Sequence, residues 1–188
     1  MPAVQALPPD EIVVAGDADC WTDGLPEAIR AVEAGASWSV PHWQVHRLTQ
    51  HGTEALQNGA PARSQPLEQR PYRGVLGGGI VVARRDTLLA HPMDPRFVGW
   101  GQEDEAFGWM LQCLLGPPKR VMKPLYHLWH PHPQRITRRK GSGKGWELRR
   151  RYSRASRDTV AMTRLLEETH VALNALERPL HHPQTLNL

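Results

Sequence analysis

Three places in this 188-residue chain hold side chains whose types and spacing can do chemistry. The first is Asp17-Ala18-Asp19. Two carboxylates two residues apart can both reach a hard divalent cation or the phosphates bound to it, because Mg²⁺ and Mn²⁺ take oxygen ligands and bridge diphosphates. Aspartate is also a common turn residue, and turn chemistry alone would account for the pair. The second place is Phe97-Val98-Gly99-Trp100-Gly101-Gln102-Glu103-Asp104-Glu105. Glycines on both sides of Trp100 let the backbone bend and leave the indole open as a platform for the apolar face of a sugar ring. The three acids that follow open a helix, where the macrodipole favours negative charge and the ionised form of Asp104. That preference explains Glu103 to Glu105 but not Gly99-Trp100-Gly101. The third place is Leu125-Tyr126-His127-Leu128-Trp129-His130-Pro131-His132. Imidazole ligates Mn²⁺, yet positions three apart on a straight strand face opposite sides. His127 and His130 can share a cation only if the chain bends between them. The other reading of His127 is a hydrogen-bonded core histidine, and His132, between two prolines, reads as surface.

Regular elements must hold these groups. Ile12-Val13-Val14-Ala15 is a short, β-branched run that reads as a buried strand, and it delivers the chain into the Asp17 turn. Thr22-Asp23-Gly24-Leu25-Pro26 has the side-chain cap and early proline of a helix start, with Leu25, Ile29 and Val32 on one face and Gly35 as its stop. A second strand is expected near Ser37 to Pro41, completing a βαβ-like unit of an α/β sheet. Ligands of such sheets gather beyond the carboxyl ends of strands. Gln50 to Pro71 reads as a surface loop, or a short helix and a loop. Gly77-Gly78-Gly79 leads into another buried strand, Ile80 to Ala83. His91 to Arg96 is expected as an ordered loop. A helix from Gln102 carries Phe107, Met110, Leu111 and Leu114 at helical spacing and stops at Gly116-Pro117-Pro118. Leu125 to Trp129 reads as a last strand. From Trp146 to about Leu176 the pattern is helical, with a break at Asp158, a good N-cap.

Composition narrows the class. Apolar residues make up 40% and seven tryptophans are present, which argues for a packed core, with 16 glycines and 17 prolines for irregular connections. The apolar run at Ile80 to Ala83 is far short of the roughly 20 residues of a membrane span, and Met1 to Asp10 lacks the basic and apolar segments of a secretory signal. Cys20 and Cys113 make no disulfide framework. A cytoplasmic location is the expectation. Residues 1–100 hold 8 basic and 11 acidic side chains, and residues 101–188 hold 15 and 8. Ten basic residues lie between Arg135 and Arg157 against Glu147 alone, so that segment is either a phosphate-facing patch or a solvated helix face.

The segment Phe97 to Asp104 resembles the acceptor-site motif of the β-1,4-galactosyltransferase C-terminal domain family, whose relatives include chondroitin-type polymerases and polypeptide N-acetylgalactosaminyltransferases. Tyr72-Arg73-Gly74-Val75-Leu76-Gly77-Gly78-Gly79-Ile80 resembles the family's Gly-Gly segment, and Asp17-Ala18-Asp19 its Asp-x-Asp, in the family's order. The likeness runs from about Ile12 to His132. It implies a GT-A glycosyltransferase fold, here an α/β, partial GT-A-like open mixed sheet flanked by helices. The expected division is a catalytic domain over residues 1–134 and a basic helical C-terminal extension over 135–188.

The same resemblance implies roles. Asp19 would ligate Mn²⁺ or Mg²⁺, and Asp17 would contact the donor's ribose or a metal-bound water. His130 matches the family's late metal-binding histidine, and His127 stands where relatives have a methionine. Asp104 matches the catalytic base of inverting members, Glu103 its acceptor-binding neighbour, and Trp100 would stack on the acceptor. Gly101, Gly78 and Gly79 line the sugar site. The implied reaction transfers a hexose from a nucleotide sugar, a UDP-sugar by the resemblance, to a carbohydrate or other glycosylatable acceptor. Eleven residues precede Ile12, where the family's two nucleoside-binding βα units would need roughly 60 at about 30 per unit. That departure admits a misplaced start, a split enzyme with a partner chain, or a decayed, inactive remnant that binds carbohydrate or nucleotide. It also leaves a sheet edge open to a partner chain or to self-association. A basic nucleic-acid-binding protein with zinc on His127, His130 and His132 is a third reading, against which Cys20 and Cys113 show no finger spacing.

Overall fold

A computed structural model describes residues 2–98, 101–131 and 143–177. In chain order its elements are α1 (Pro2–Gln5), β1 (Ile12–Gly16), β2 (Cys20–Trp21), α2 (Leu25–Glu33), β3 (Trp38–Val40), β4 (Gln44–Arg47), α3 (Gln50–Gln57), β5 (Tyr72–Arg73), β6 (Ile80–Arg84), α4 (Arg85–Ala90), α5 (Glu103–Leu115), β7 (Lys119–Arg120), β8 (Pro124–His127), α6 (Gly143–Ala155) and α7 (Thr159–Glu177). The strands form two four-stranded mixed sheets rather than one. The first has the order β1-β6-β3-β7 and the second β2-β8-β4-β5. The fold is mixed α/β with helices flanking mixed sheets.

The apolar run Ile80 to Ala83 is continuous because β6 is central: it pairs antiparallel with β1 on one side and β3 on the other, and all four residues are buried. Val81 and Ala83 face a core shared with Trp38, Val40, Phe107, Met110, Leu111, Tyr152 and Met162. Val82 faces the other way, onto Ala28 and Val32 of α2. The first sheet is therefore a filling between α2 and the α5, α6, α7 layer. β1 and β3 run parallel to each other, joined through α2 as the βαβ pattern predicts, but β6 is inserted between them. β1 lies at an edge, and Val14 is accordingly exposed.

Local chemistry sets the boundaries. Pro26 opens α2, and Gly35 ends it with φ of 100°. The expected side-chain cap is not made. Gly24 is the N-cap, and the Thr22 hydroxyl instead accepts from Gly24 N and donates to the Pro124 carbonyl, tying α2 to β8. Asp158 accepts from Ala161 N at 3.0 Å and separates α6 from α7. No helix among the described residues is long and apolar enough to cross a membrane.

Candidate functional site

Four segments meet where the two sheets exchange the chain. β1 belongs to the first sheet and β2 to the second, so Asp17-Ala18-Asp19 is the crossover between them. In the second sheet Cys20 pairs with His127, which brings the end of β8 beside the acidic turn. In the first sheet Gly16 pairs with Ile80, so the strap Gly77-Gly78-Gly79 enters β6 at the same corner. Asp17 N donates to Gly79 O at 2.8 Å, and the Asp17 carboxylate takes a backbone hydrogen bond from Gly79 in return. The fourth segment is the first turn of α5, which lies on the strap. A Cβ on Gly78 would sit 3.2 Å from Asp104 Oδ2, and one on Gly79, where φ is +78°, would sit 2.5 Å from Leu125 Cδ2. Side chains on the strap would push it off the carboxylate on one side and off the sheet on the other.

Both histidines reach the acidic turn. His127 Nε2 is 3.5 Å and His130 Nε2 is 3.2 Å from the same atom, Asp19 Oδ2, and the two rings are 5.5 Å apart. The bend that sharing requires is present. β8 ends at His127, and Leu128 N donates to Asp19 O, turning the chain back over the Asp17 turn. The ring orientations are fixed by backbone: Nδ1 of His127 lies 2.9 Å from Leu128 O, and Nδ1 of His130 lies 3.2 Å from Pro131 O. A carbonyl only accepts, so each Nδ1 carries the proton. Burial above all, with Arg47 next, holds His127 below the ordinary imidazole range. Neutral His127 then points the Nε2 lone pair at a carboxylate oxygen. Two acceptors facing each other call for a cation or a proton between them.

Cys20 also belongs here. One atom each from Asp19, Cys20 and His127 lie within 4.8 Å of one another. Sequence reasoning passed over Cys20, although it directly follows Asp19. Burial, then the Asp19 and Asp17 charges, push its thiol well above the usual range, so it stays a neutral thiol that hydrogen-bonds Asp19 Oδ1. Together these residues offer a carboxylate, a thiol and an imidazole that could hold a metal ion.

The α5 side of the corner is strongly acidic. Asp17 interacts electrostatically with Asp19, Glu103 and Asp104, and burial followed by the Asp19 charge raises its carboxyl. Asp104 is pushed up to about 7 by burial first, then by Asp17 and Glu103. This corrects the expectation that the helix N-terminus keeps Asp104 readily ionised: desolvation and like charge outweigh the macrodipole. Glu103 Oε1 accepts from Gly101 N, while its Oε2 is buried without a partner among the described residues. Gln102 is the only non-glycine described with positive φ, 83°, immediately before this turn. Such a conformation costs about 1–2 kcal/mol and persists where surroundings enforce it.

Trp100 lies outside the described residues, as do His132 and the segment Arg135 to Arg139. Within the rest of the basic run, Arg149 pairs with Glu105 and Arg151 with Glu168. These two charges serve helix packing. No family model, curated protein or solved structure matches the chain.

Proposed function

We propose that the chain is the catalytic part of a metal-dependent, inverting glycosyltransferase of GT-A type, moving a hexose from a UDP-class nucleotide sugar to an acceptor hydroxyl. One observation carries the reading: Asp19 meets the Nε2 atoms of both His127 and His130, and Asp17 joins that cluster electrostatically to Asp104. Asp19, His127 and His130 would hold Mn²⁺ or Mg²⁺. When bound, such a cation neutralises the charge that develops on a departing diphosphate.

The protein's own groups supply the rest. Asp17, pinned to Gly79, would accept hydrogen bonds from the donor's ribose or from a metal-bound water. Asp104 takes the proton of the attacking hydroxyl. A carboxylate near 7 is far more basic than an ordinary aspartate and is still ionised in a large share of molecules at neutral pH, as a general base requires. The bare Gly78 leaves room beside its Oδ2. Glu103, with one buried oxygen free of partners among the described residues, would receive an acceptor hydroxyl. Gly101 and Trp100 complete the acceptor side. The Glu103-Asp104 pair favours inversion by the resemblance, since the family's retaining relatives have Asn at the second place.

The test is a transfer assay with Mn²⁺, a UDP-hexose and a sugar acceptor. Asp104→Asn should lower kcat by roughly 10²-fold or more with donor binding unchanged. The wild-type rate should climb as pH rises through about 7. An Asn variant that turns over at the wild-type rate, or a product that keeps the donor's anomeric configuration, would overturn the assignment.

A further inference from the structure

Around Arg73 to Leu76, just ahead of the Gly-rich strap, lies an arrangement that the proposed transfer does not use. The loop between β3 and β4 carries Trp43. The guanidinium of Arg73 lies 4.5 Å from its ring centroid and that of Arg120 lies 5.3 Å from it. Strand register brings them together: Arg73 pairs with Gln44 and Arg120 with Val40, flanking Trp43 on both sides in sequence. Neither arginine has a carboxylate partner among the described residues. Arg120 is held rigidly, its Nε donating to His42 O at 3.0 Å and its Nη2 to Gly74 O at 3.2 Å. Those bonds use two of its five N–H groups.

Packing alone does not explain the pair. Arg120 already ties the loop to Gly74, and the exposed Arg73 stacks on Trp43 while bringing a second positive charge against it. Burial and that repulsion both disfavour the Arg120 cation. Two unneutralised guanidinium groups brought together are what recognises a carboxylate or phosphate. They border a cavity of about 200 Å³ that is also lined by Glu105, Gly108, Trp109 and Gln112 of α5. Glu105, the acid in that lining, is paired with Arg149. The cavity lies close to the proposed base. A Cβ on Gly77 would strike Asp104 O, and one on Gly108 would strike Leu76, so the strap runs along one ridge of α5 from Asp104 toward the cavity. Asp104 and Gly108 are one helical turn apart, about 5–6 Å.

We propose that Arg73 and Arg120 form a subsite for an oxyanion carried on a sugar, a carboxylate or a phosphate, seated beside Trp109. Resting on the transfer reading, this makes the acceptor an acidic saccharide.

Binding can be tested without donor or metal, so its outcome is separate from that of the transfer reading. In EDTA, the indole N–H signals of Trp43 and Trp109 are followed by NMR during titration with methyl glucuronide, glucose 6-phosphate and methyl glucoside. At least one anionic sugar should give saturable shifts, and which one does so identifies the oxyanion. The neutral glucoside should bind at least tenfold more weakly. Arg73→Gln, at an exposed site that leaves the fold intact, should weaken the anionic sugar by about tenfold, and Arg120→Gln by at least as much. Equal binding of glucoside and anionic sugars, no saturable shift with any of them, or an Arg73→Gln variant with unchanged affinity would overturn the proposal.

Discussion

At the scale of single residues, Asp104 shows how a site sets its own chemistry against stability. Its carboxyl titrates at about 7 in the folded protein and near 3.8 when unfolded. Between those values the folded state binds the extra proton, so stability falls as pH rises through that window. Asp104→Asn removes the penalty. Urea denaturation should find the variant more stable than wild type by about 1–2 kcal/mol at pH 8, after allowance for partial solvent screening, and indistinguishable from it below pH 4. Equal stabilities at pH 8 would mean that the carboxylate is not buried against Asp17 and Glu103. The types of these residues were legible in the sequence, because Asp17, Asp19, Glu103, Asp104, His127 and His130 each carry chemistry in their side chains. Their electrostatics were not. Helix position alone pointed toward easy ionisation of Asp104, and only the folded strap supplies the burial that reverses it. Cys20 and the Arg73–Trp43–Arg120 cluster stayed hidden for a similar reason: their meaning comes from cross-strand neighbours.

At the scale of elements, a network joins the loop ahead of α5 to the last two helices. Asp94 is buried and accepts from Arg96 through both carboxylate oxygens, and Tyr152 Oη donates to its Oδ2 at 2.9 Å. Tyr152 also meets Thr169 of α7 at 3.1 Å, and Arg96 and Arg151 both pair with Glu168. This network holds Phe97, just before the segment that leads into α5, against Tyr152. Tyr152→Phe keeps the ring and removes the hydroxyl. It should cost about 1–2 kcal/mol in chemical denaturation, the range for deleting one partner of buried polar groups. A loss under about 0.3 kcal/mol would show that Arg96 alone satisfies Asp94. Elements with strong local signals were readable: the β-branched runs of β1 and β6, the apolar spacing of α5 and the cap at Asp158. Short strands were not. β2, β5 and β7 are two residues long, too short for any alternation to show. β4 reads Gln44-Val45-His46-Arg47, and its polar side chains hide a strand whose pairing with β8 organises the second sheet.

At the scale of the whole molecule, the last two helices are built into the main core. Leu148, Tyr152, Ala155, Met162 and Leu165 share one buried cluster with Trp38, Val40 and the α5 residues Phe107, Met110 and Leu111. Arg149 and Arg151 reach Glu105 and Glu168 across helices. A chain ending at residue 142 would leave that face of α5 in water, with each stripped large side chain losing about 1.5–3 kcal/mol of burial. Against a typical stability of roughly 5–15 kcal/mol, such a truncation should abolish cooperative thermal unfolding. A sharp transition retained in the shortened chain would show that the sheets and α5 stand alone.

We propose that the acidic turn and the end of β8 form one cation site. Calorimetric titration of Mn²⁺ into the protein and into Asp19→Ala tests it most directly. The wild type should show one saturable site, weakened by at least tenfold in Asp19→Ala, with circular dichroism showing the variant folded. Equal affinity in the two folded proteins, or no saturable binding to the wild type, would contradict it.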